Sequence, residues 1–367
     1  MRKKSAAKSN MAEVARRAGV SLSTVSRALA GSTQISEETR RSVRKAAESL
    51  NYRVDAAGSS LRTGLTRIIG VVIPLAHAAN QSLSDPFFME ILGAIADELS
   101  ASGYSMLLKK ETEDPATWIA NVARGRNADG VIVVGQSLHH DSLNRLAASD
   151  FPMVVWGTRM KDQQYVSVGS DNEQGAREAT AHLISQGCRH FIFLGDPAVP
   201  EVAARVEGFR RALRDAGIAR VPRQEVSVRF GSDTAYHAVA ALLGTGREVD
   251  AVVACSDVFA MGAMRAILER GLKIPADVAI VGFDDIPFAA YTMPPLTTLR
   301  QNCHAGARLL VEKLMRAIRR EPNDSIVIPT ELVIRASSLR EQYRALPAIR
   351  PATPAGATAA RRKSRSG

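Results

Sequence analysis

The feature that most restricts the fold is a long alternation that begins at Arg67. Short β-branched runs occur at 67–73, 104–110, 130–135, 152–157, 190–195, 251–255 and 278–283. Amphipathic helical patterns lie between them, near 86–102, 115–126, 172–187, 199–216, 235–243 and 256–271. Strand–helix alternation of this kind predicts an α/β body of parallel sheets covered on both faces by helices. The number of strands is large for one sheet, so two lobes are expected. The chain would cross between them near 165, 295 and 325. Lobe 1 would hold about 66–165 and 296–325, and lobe 2 about 166–295 and 326–340. A body of this type binds small molecules in a cleft, outside the carboxyl ends of its strands.

Ahead of this body, residues 10–52 read as a small three-helix head. Asn10 can cap a helix from Met11 to about Ala18, and Gly19 gives the next turn its backbone freedom. Ser21 or Ser23 can cap a second helix, Leu22 to Leu29, broken at Gly31. A third helix starts after Ser36, with Thr39 in place of the Glu of a full capping box, and ends near Leu50. Met11, Val14, Ala15, Ala18, Val25, Leu29, Val43, Ala46, Ala47 and Leu50 fall on facing stripes and form the predicted core. Leu22, Ser23, Thr24, Ser26 and Arg27 remain on the outer face of the second helix. A short helix with this face can lie in a DNA major groove, where Arg27 can donate twice to a guanine edge. The alternative is an ordinary solvated helical face.

Charge separates these two readings. The chain carries a formal +11. Residues 1–64 hold 13 Lys/Arg and 5 Asp/Glu, and residues 340–367 hold 7 and 1, whereas the middle is slightly acidic, at 28 and 31. Basic excess confined to the head and the tail suits nucleic-acid binding better than general solubility. Residues 1–9 form a basic arm and 341–367 an Ala-, Pro- and Arg-rich tail, both expected to be disordered. Cys188, Cys255 and Cys303 lie far apart and read as reduced core thiols. No stretch resembles a signal peptide or a membrane span, and the histidines have no metal-ligand spacing. Neither a phosphate-binding loop, a dinucleotide fingerprint nor a nucleophile elbow occurs, so neither an enzyme nor a cofactor is expected.

The runs EVARRAGVSLSTVSRAL and SEETRRSVRKAAESLNY closely resemble the DNA-binding head of the lactose/galactose repressor family of bacterial transcription regulators. The resemblance continues through DPFF (85–88), SVGSDNEQG (167–175), PEVAARVEGF (200–209), CSDVFAMGA (255–263) and VGFDD (281–285), and so covers roughly residues 10–340. It implies that Leu22, Ser23 and Arg27 read operator bases. It also implies that residues 53–65 form a hinge helix, with Leu61, flanked by Gly58 and Arg62, as a minor-groove wedge. Val54 and Gly58 depart from the usual proline and alanine, and Gly costs a helix about 1 kcal/mol relative to Ala, so a hinge ordered only on DNA is expected.

For the body, the resemblance implies a form similar to periplasmic sugar-binding proteins. Phe87 or Phe88 would come from the first lobe, and Arg205, Phe230, Ser256 and Asp284 from the second. Arg and Asp can fork onto neighbouring hydroxyls while an aromatic face covers the C–H side of a sugar ring. Glu201 and Trp156 would suit a neutral sugar, with Trp156 either in the pocket or in the core. Asp257 would either cap the helix after Ser256 or touch ligand. Gly157 stands where many relatives carry Asp. The expected protein is a cytoplasmic, nucleoid-associated homodimeric repressor of carbohydrate genes, released from a near-palindromic operator by a sugar inducer. A corepressor or global regulator of the same fold is the alternative, and a sugar receptor without a DNA role is the different-class one.

Overall fold

A computed structural model describes residues 10–29, 32–52, 65–75, 82–111, 114–221 and 224–340. Eleven α-helices occur among them. The expected stop at Gly31, the basic arm, the tail and the hinge with Gly58, Leu61 and Arg62 all lie outside the described residues.

The head follows from its caps. Helix α1 spans Met11–Ala18, where the Asn10 side chain accepts from Glu13 N (3.0 Å) and the Glu13 carboxylate accepts from Asn10 N (3.4 Å). The sequence predicts only the first half of this reciprocal box. Gly19 ends the helix at φ 67, a left-handed conformation that glycine adopts without strain. Helix α2 spans Leu22–Leu29, and Ser21 rather than Ser23 caps it, accepting from Thr24 N at 3.1 Å. Helix α3 spans Glu37–Ser49 and is capped by Ser36. Val14, Val25, Ala28 and Val43 are wholly buried at the centre. Ala28 is a core member outside the stripes expected from the sequence.

The chain divides into two compact units. The first contains the described residues within Met1–Ala76, Ile91–Val168 and His304–Ile326, the second those within His77–Glu90, Gly169–Cys303 and Val327–Gly367. The first is built on a six-stranded sheet. Its strands are β1 (Ile68–Pro74), β2 (Ser105–Glu111), β3 (Gly130–Val134), β4 (Met153–Trp156), β5 (Val166–Ser170) and β11 (Ile326–Ile328). Their order is β11-β5-β4-β3-β1-β2, and the pairs β1–β2, β1–β3, β3–β4 and β4–β5 are parallel. Strand β3 is buried at all five positions, as its unbroken apolar run requires. Helices α4 (Pro86–Ala101), α5 (Pro115–Gly125), α6 (His140–Ala147) and α11 (Cys303–Ile318) accompany these strands in the chain. Both tryptophans lie in this unit. Trp118 covers the space beside Gly70, and Trp156 is 4% exposed with its ring against Gly306.

The second unit carries a four-stranded parallel sheet in the order β7-β6-β8-β9. These strands are β6 (Phe191–Leu194), β7 (Glu225–Val226), β8 (Ala251–Ala254) and β9 (Ala279–Val281). Its helices are α7 (Asn172–Ser185), α8 (Pro200–Asp215), α9 (Ser232–Gly244) and α10 (Asp257–Glu269). Helices α7 and α8 cross closely at Gly208, where a Cβ would overlap the Glu173 carbonyl oxygen. The antiparallel pair β10 (Thr298–Arg300) and β12 (Glu331–Val333) completes the unit. The first turn of α4, with Phe87 and Phe88, groups with this second unit. Phe87 packs against its core, whereas the sequence reading places Phe87 or Phe88 on the first lobe.

Candidate functional site

Two sets of side chains carry the chemistry. The first is the outer face of α2. Leu22 is 52% exposed. Ser23 and Arg27 are exposed beside it, and Thr24 and Ser26 are half-buried. The hydroxyls form a local cluster, since Ser21 Oγ lies 2.8 Å from Ser23 Oγ and 2.9 Å from Thr24 Oγ1. Capping therefore fixes the start of the helix and orients its hydroxyls together, while Arg27 projects two turns later.

The second set is a buried polar cluster at the carboxyl ends of β8 and β9 in the second unit. Arg205 is only 8% exposed. Its guanidinium donates through Nε to Asn172 Oδ1 (2.7 Å) and through Nη1 to the Cys255 carbonyl, and it stacks 3.6 Å above the Phe283 ring. Those contacts fix the plane of the fork and leave Nη2 with no hydrogen-bond partner among the described residues. Asp284, also 8% exposed, accepts from Gln301 Nε2 at 2.7 Å through one oxygen. The two charges do not pair directly. Burial pushes the Asp284 carboxyl well up, and the Arg205 cation opposes that while the Asp257 and Asp85 carboxylates add to it. A buried cation and carboxyl group with hydrogen-bonding capacity to spare are what a hydroxyl-rich ligand can satisfy.

In the same unit, Ser256 (4% exposed) caps α10, its Oγ accepting from Phe259 N at 3.4 Å. The helix cap belongs to Ser256, and Asp257 is instead a wholly buried acceptor for Ile286 N and Thr298 Oγ1. Phe230 is half-buried and meets Phe259 edge-to-face at 5.2 Å between ring centroids. Glu201 lies one turn before Arg205 on α8 and is half-buried. Phe87 and Phe88 are half-buried and tilted against each other at 5.9 Å. Trp156 belongs to the first unit, where it is core packing. Gly157 leaves room that the Gln136 side chain fills. Asn172 lies within SVGSDNEQG without being singled out there, and Gln301 and Thr298 are not foreseeable from the sequence, because polar residues outside a motif give no signal until the fold brings them together.

Burial pushes the Cys255 thiol up to about 12, so it is a core thiol and not a nucleophile. Among the described residues no group of His, Cys, Asp and Glu could hold a metal ion, and no helix is long and apolar enough to cross a membrane.

Residues 10–55 match the family described as bacterial regulatory proteins, lacI family, and residues 180–338 match a periplasmic binding protein-like domain. The ribose operon repressor of Halalkalibacterium halodurans is 33% identical over 332 residues, covering 89% of this chain and 96% of that protein. The chain belongs to the lacI family. Among solved lacI-family structures, the lac repressor dimer bound to operator and an anti-inducer superposes with a TM-score of 0.78 at 25% identity, covering 90% of this chain and 99% of that one. A complex of the transcriptional regulator CelR with cellobiose is 30% identical over the same shares of each chain, with a TM-score of 0.67. This lacI-family protein therefore has relatives that are transcriptional repressors, and its fold is theirs from the head through the α/β body.

Proposed function

We propose that this chain is a homodimeric transcription repressor that reads operator DNA with α2 and is released by a neutral sugar held at the Arg205–Asp284 cluster. Leu22, Ser23, Thr24, Ser26 and Arg27 are the base-reading set, and Gly58, Leu61 and Arg62 the hinge set in the minor groove. Phe230, Ser256, Glu201 and the Phe87–Phe88 pair would line the ligand site together with Arg205 and Asp284. The observation that carries the ligand reading is the braced guanidinium of Arg205 beside a buried carboxyl with a free oxygen. A guanidinium donor beside a carboxyl group suits a neutral polyol, and Glu201 disfavours an anion. One relative is a ribose operon repressor and another was solved with cellobiose, so these are the first sugars to try. Ligand and DNA then oppose each other through thermodynamic linkage.

Dimer formation is supported by large apolar side chains left on the surface of each unit. In the first, Leu107 and Leu108 are 42% and 39% exposed on the edge strand β2. In the second, Phe288, Tyr291 and Met293 are 61%, 85% and 86% exposed within six residues. Exposed apolar patches of this kind mark association surfaces.

Fluorescence anisotropy with labelled DNA from upstream of the chain's own operon tests the whole reading. Binding should fall steeply with salt and be abolished by one sugar. Binding that ignores both salt and a panel of mono- and disaccharides would refute it.

A further inference from the structure

Two consecutive non-glycine residues in the second unit, Asp284 at φ 122 and Asp285 at φ 57, have positive φ, a region that L side chains rarely adopt. Such residues are strained and persist only where their surroundings over-determine them. Asp284 N is held by the Leu299 carbonyl at 2.8 Å, and one further residue grips both ends of the pair. The Asp257 amide donates to the Phe283 carbonyl at 2.8 Å, and its carboxylate accepts from Ile286 N at 2.9 Å. A single residue therefore fastens the chain immediately before and immediately after the strained pair. The other Asp257 oxygen accepts the Thr298 hydroxyl at 2.5 Å, and that hydroxyl oxygen accepts Asp285 N at 3.3 Å. Gly282 leaves the space for this, since a Cβ there would overlap Asp257 Oδ1. Arg300 and Arg335 each hold the Asp285 carboxylate at 2.7 Å, so Asp285 is turned away to an ion-pair network. That leaves Asp284 facing Gln301 and the Arg205 cation.

We propose that Asp257 is a positioning residue of the ligand site, whose amide and carboxylate bracket the loop 283–286 and so set where the Asp284 carboxyl points. The ligand consequence rests on the reading of Asp284 given above, and the bracket itself does not. One acceptor must face Ile286 N, whereas the group facing Thr298 can either accept or donate, because a hydroxyl does both. Asparagine meets that requirement and alanine does not.

The test uses the full chain with Asp257→Asn and Asp257→Ala. Hydrogen exchange of peptides spanning 282–287 is followed without ligand, with the strands 191–194 and 251–254 as internal controls. The alanine variant should exchange at least about tenfold faster across 284–286 while the control strands keep their protection, and the asparagine variant should match the parent. Calorimetric titration with ribose and with cellobiose gives the second readout. For a sugar that the parent binds, alanine should weaken binding about tenfold or more and asparagine should restore it. Unchanged exchange across 284–286 in the alanine variant would overturn the bracket. Unchanged affinity would overturn its effect on the ligand site. If the alanine variant does not fold, Thr298→Val decides, since it should speed exchange at Asp285 alone; no change there counts against the proposal. Failure of both sugars to bind the parent would tell against the sugar reading and leave the exchange result standing.

Discussion

Asp257 also sets a pH dependence whose sign can be worked out. Its carboxyl is wholly buried, and burial pushes it from 3.8 to about 7 against the hydrogen bonds from Thr298 and Ile286. A carboxyl raised on folding contributes stability that is fully present below its unfolded value and is lost as pH rises through the folded one. From these values the full loss is about 4 kcal/mol, of which about 2 kcal/mol disappears between about pH 5.5 and 8. Asp257→Asn keeps the neutral shape and both partners without a group to ionise. The measurement is the exchange protection of β8 in parent and variant across this range, corrected for intrinsic exchange rates. His182, whose burial lowers its pKa, costs stability as pH falls below its ordinary value of 6.5, but it does so in both proteins. Their difference reports Asp257 together with its effect on the neighbouring Asp284 carboxyl. The parent should lose about 2 kcal/mol relative to the variant, and parallel pH slopes would refute the reasoning.

Other perturbations follow from single contacts. Arg27→Ala should cost about 1–3 kcal/mol of operator binding and relax preference at one base pair, read by competition between single-base operator variants. Arg205→Lys loses the planar fork on Asn172 and the Cys255 carbonyl, and calorimetry should show sugar affinity falling at least about tenfold with operator binding intact. Gly208→Ala gains about 1 kcal/mol of helix propensity, but its Cβ overlaps the Glu173 carbonyl, so a net loss of about 1–3 kcal/mol is expected in urea denaturation followed by circular dichroism. Tyr291→Asp combined with Met293→Lys should shift the chain toward monomers in analytical ultracentrifugation. Persistent dimers would exclude that surface.

Much of the architecture is legible without coordinates, because most elements announce themselves locally. The seven apolar runs and the three head helices are found within a residue or two of their expected ends. Elements that the sequence hides are those whose pattern is set by distant partners. Strand β5 reads VSVGS, too small and polar to look like a strand, yet it is paired with β4. Strands β10 and β12 have three residues each and exist through their mutual register. Helix α6 is as short as the first two head helices but opens on His139, which makes no side-chain capping bond, so no cap residue marks its start. At the ligand site, Arg205, Asp257 and Asp284 stand in family motifs, whereas what Asp257, Thr298 and Gln301 do is set by contacts spanning 17 to 41 positions in the chain. Trp156 is ambiguous from sequence because one side chain serves a pocket wall or a core equally well. Its ring lies against Gly306, which a Cβ would have prevented.

The placement of Trp118 and Trp156 in the same unit makes the chain's intrinsic emission a one-sided reporter. A titration that leaves that glow flat therefore says nothing of changes confined to the second unit. An indole placed at Phe230, next to the Phe259 ring, would give the silent half a voice of its own.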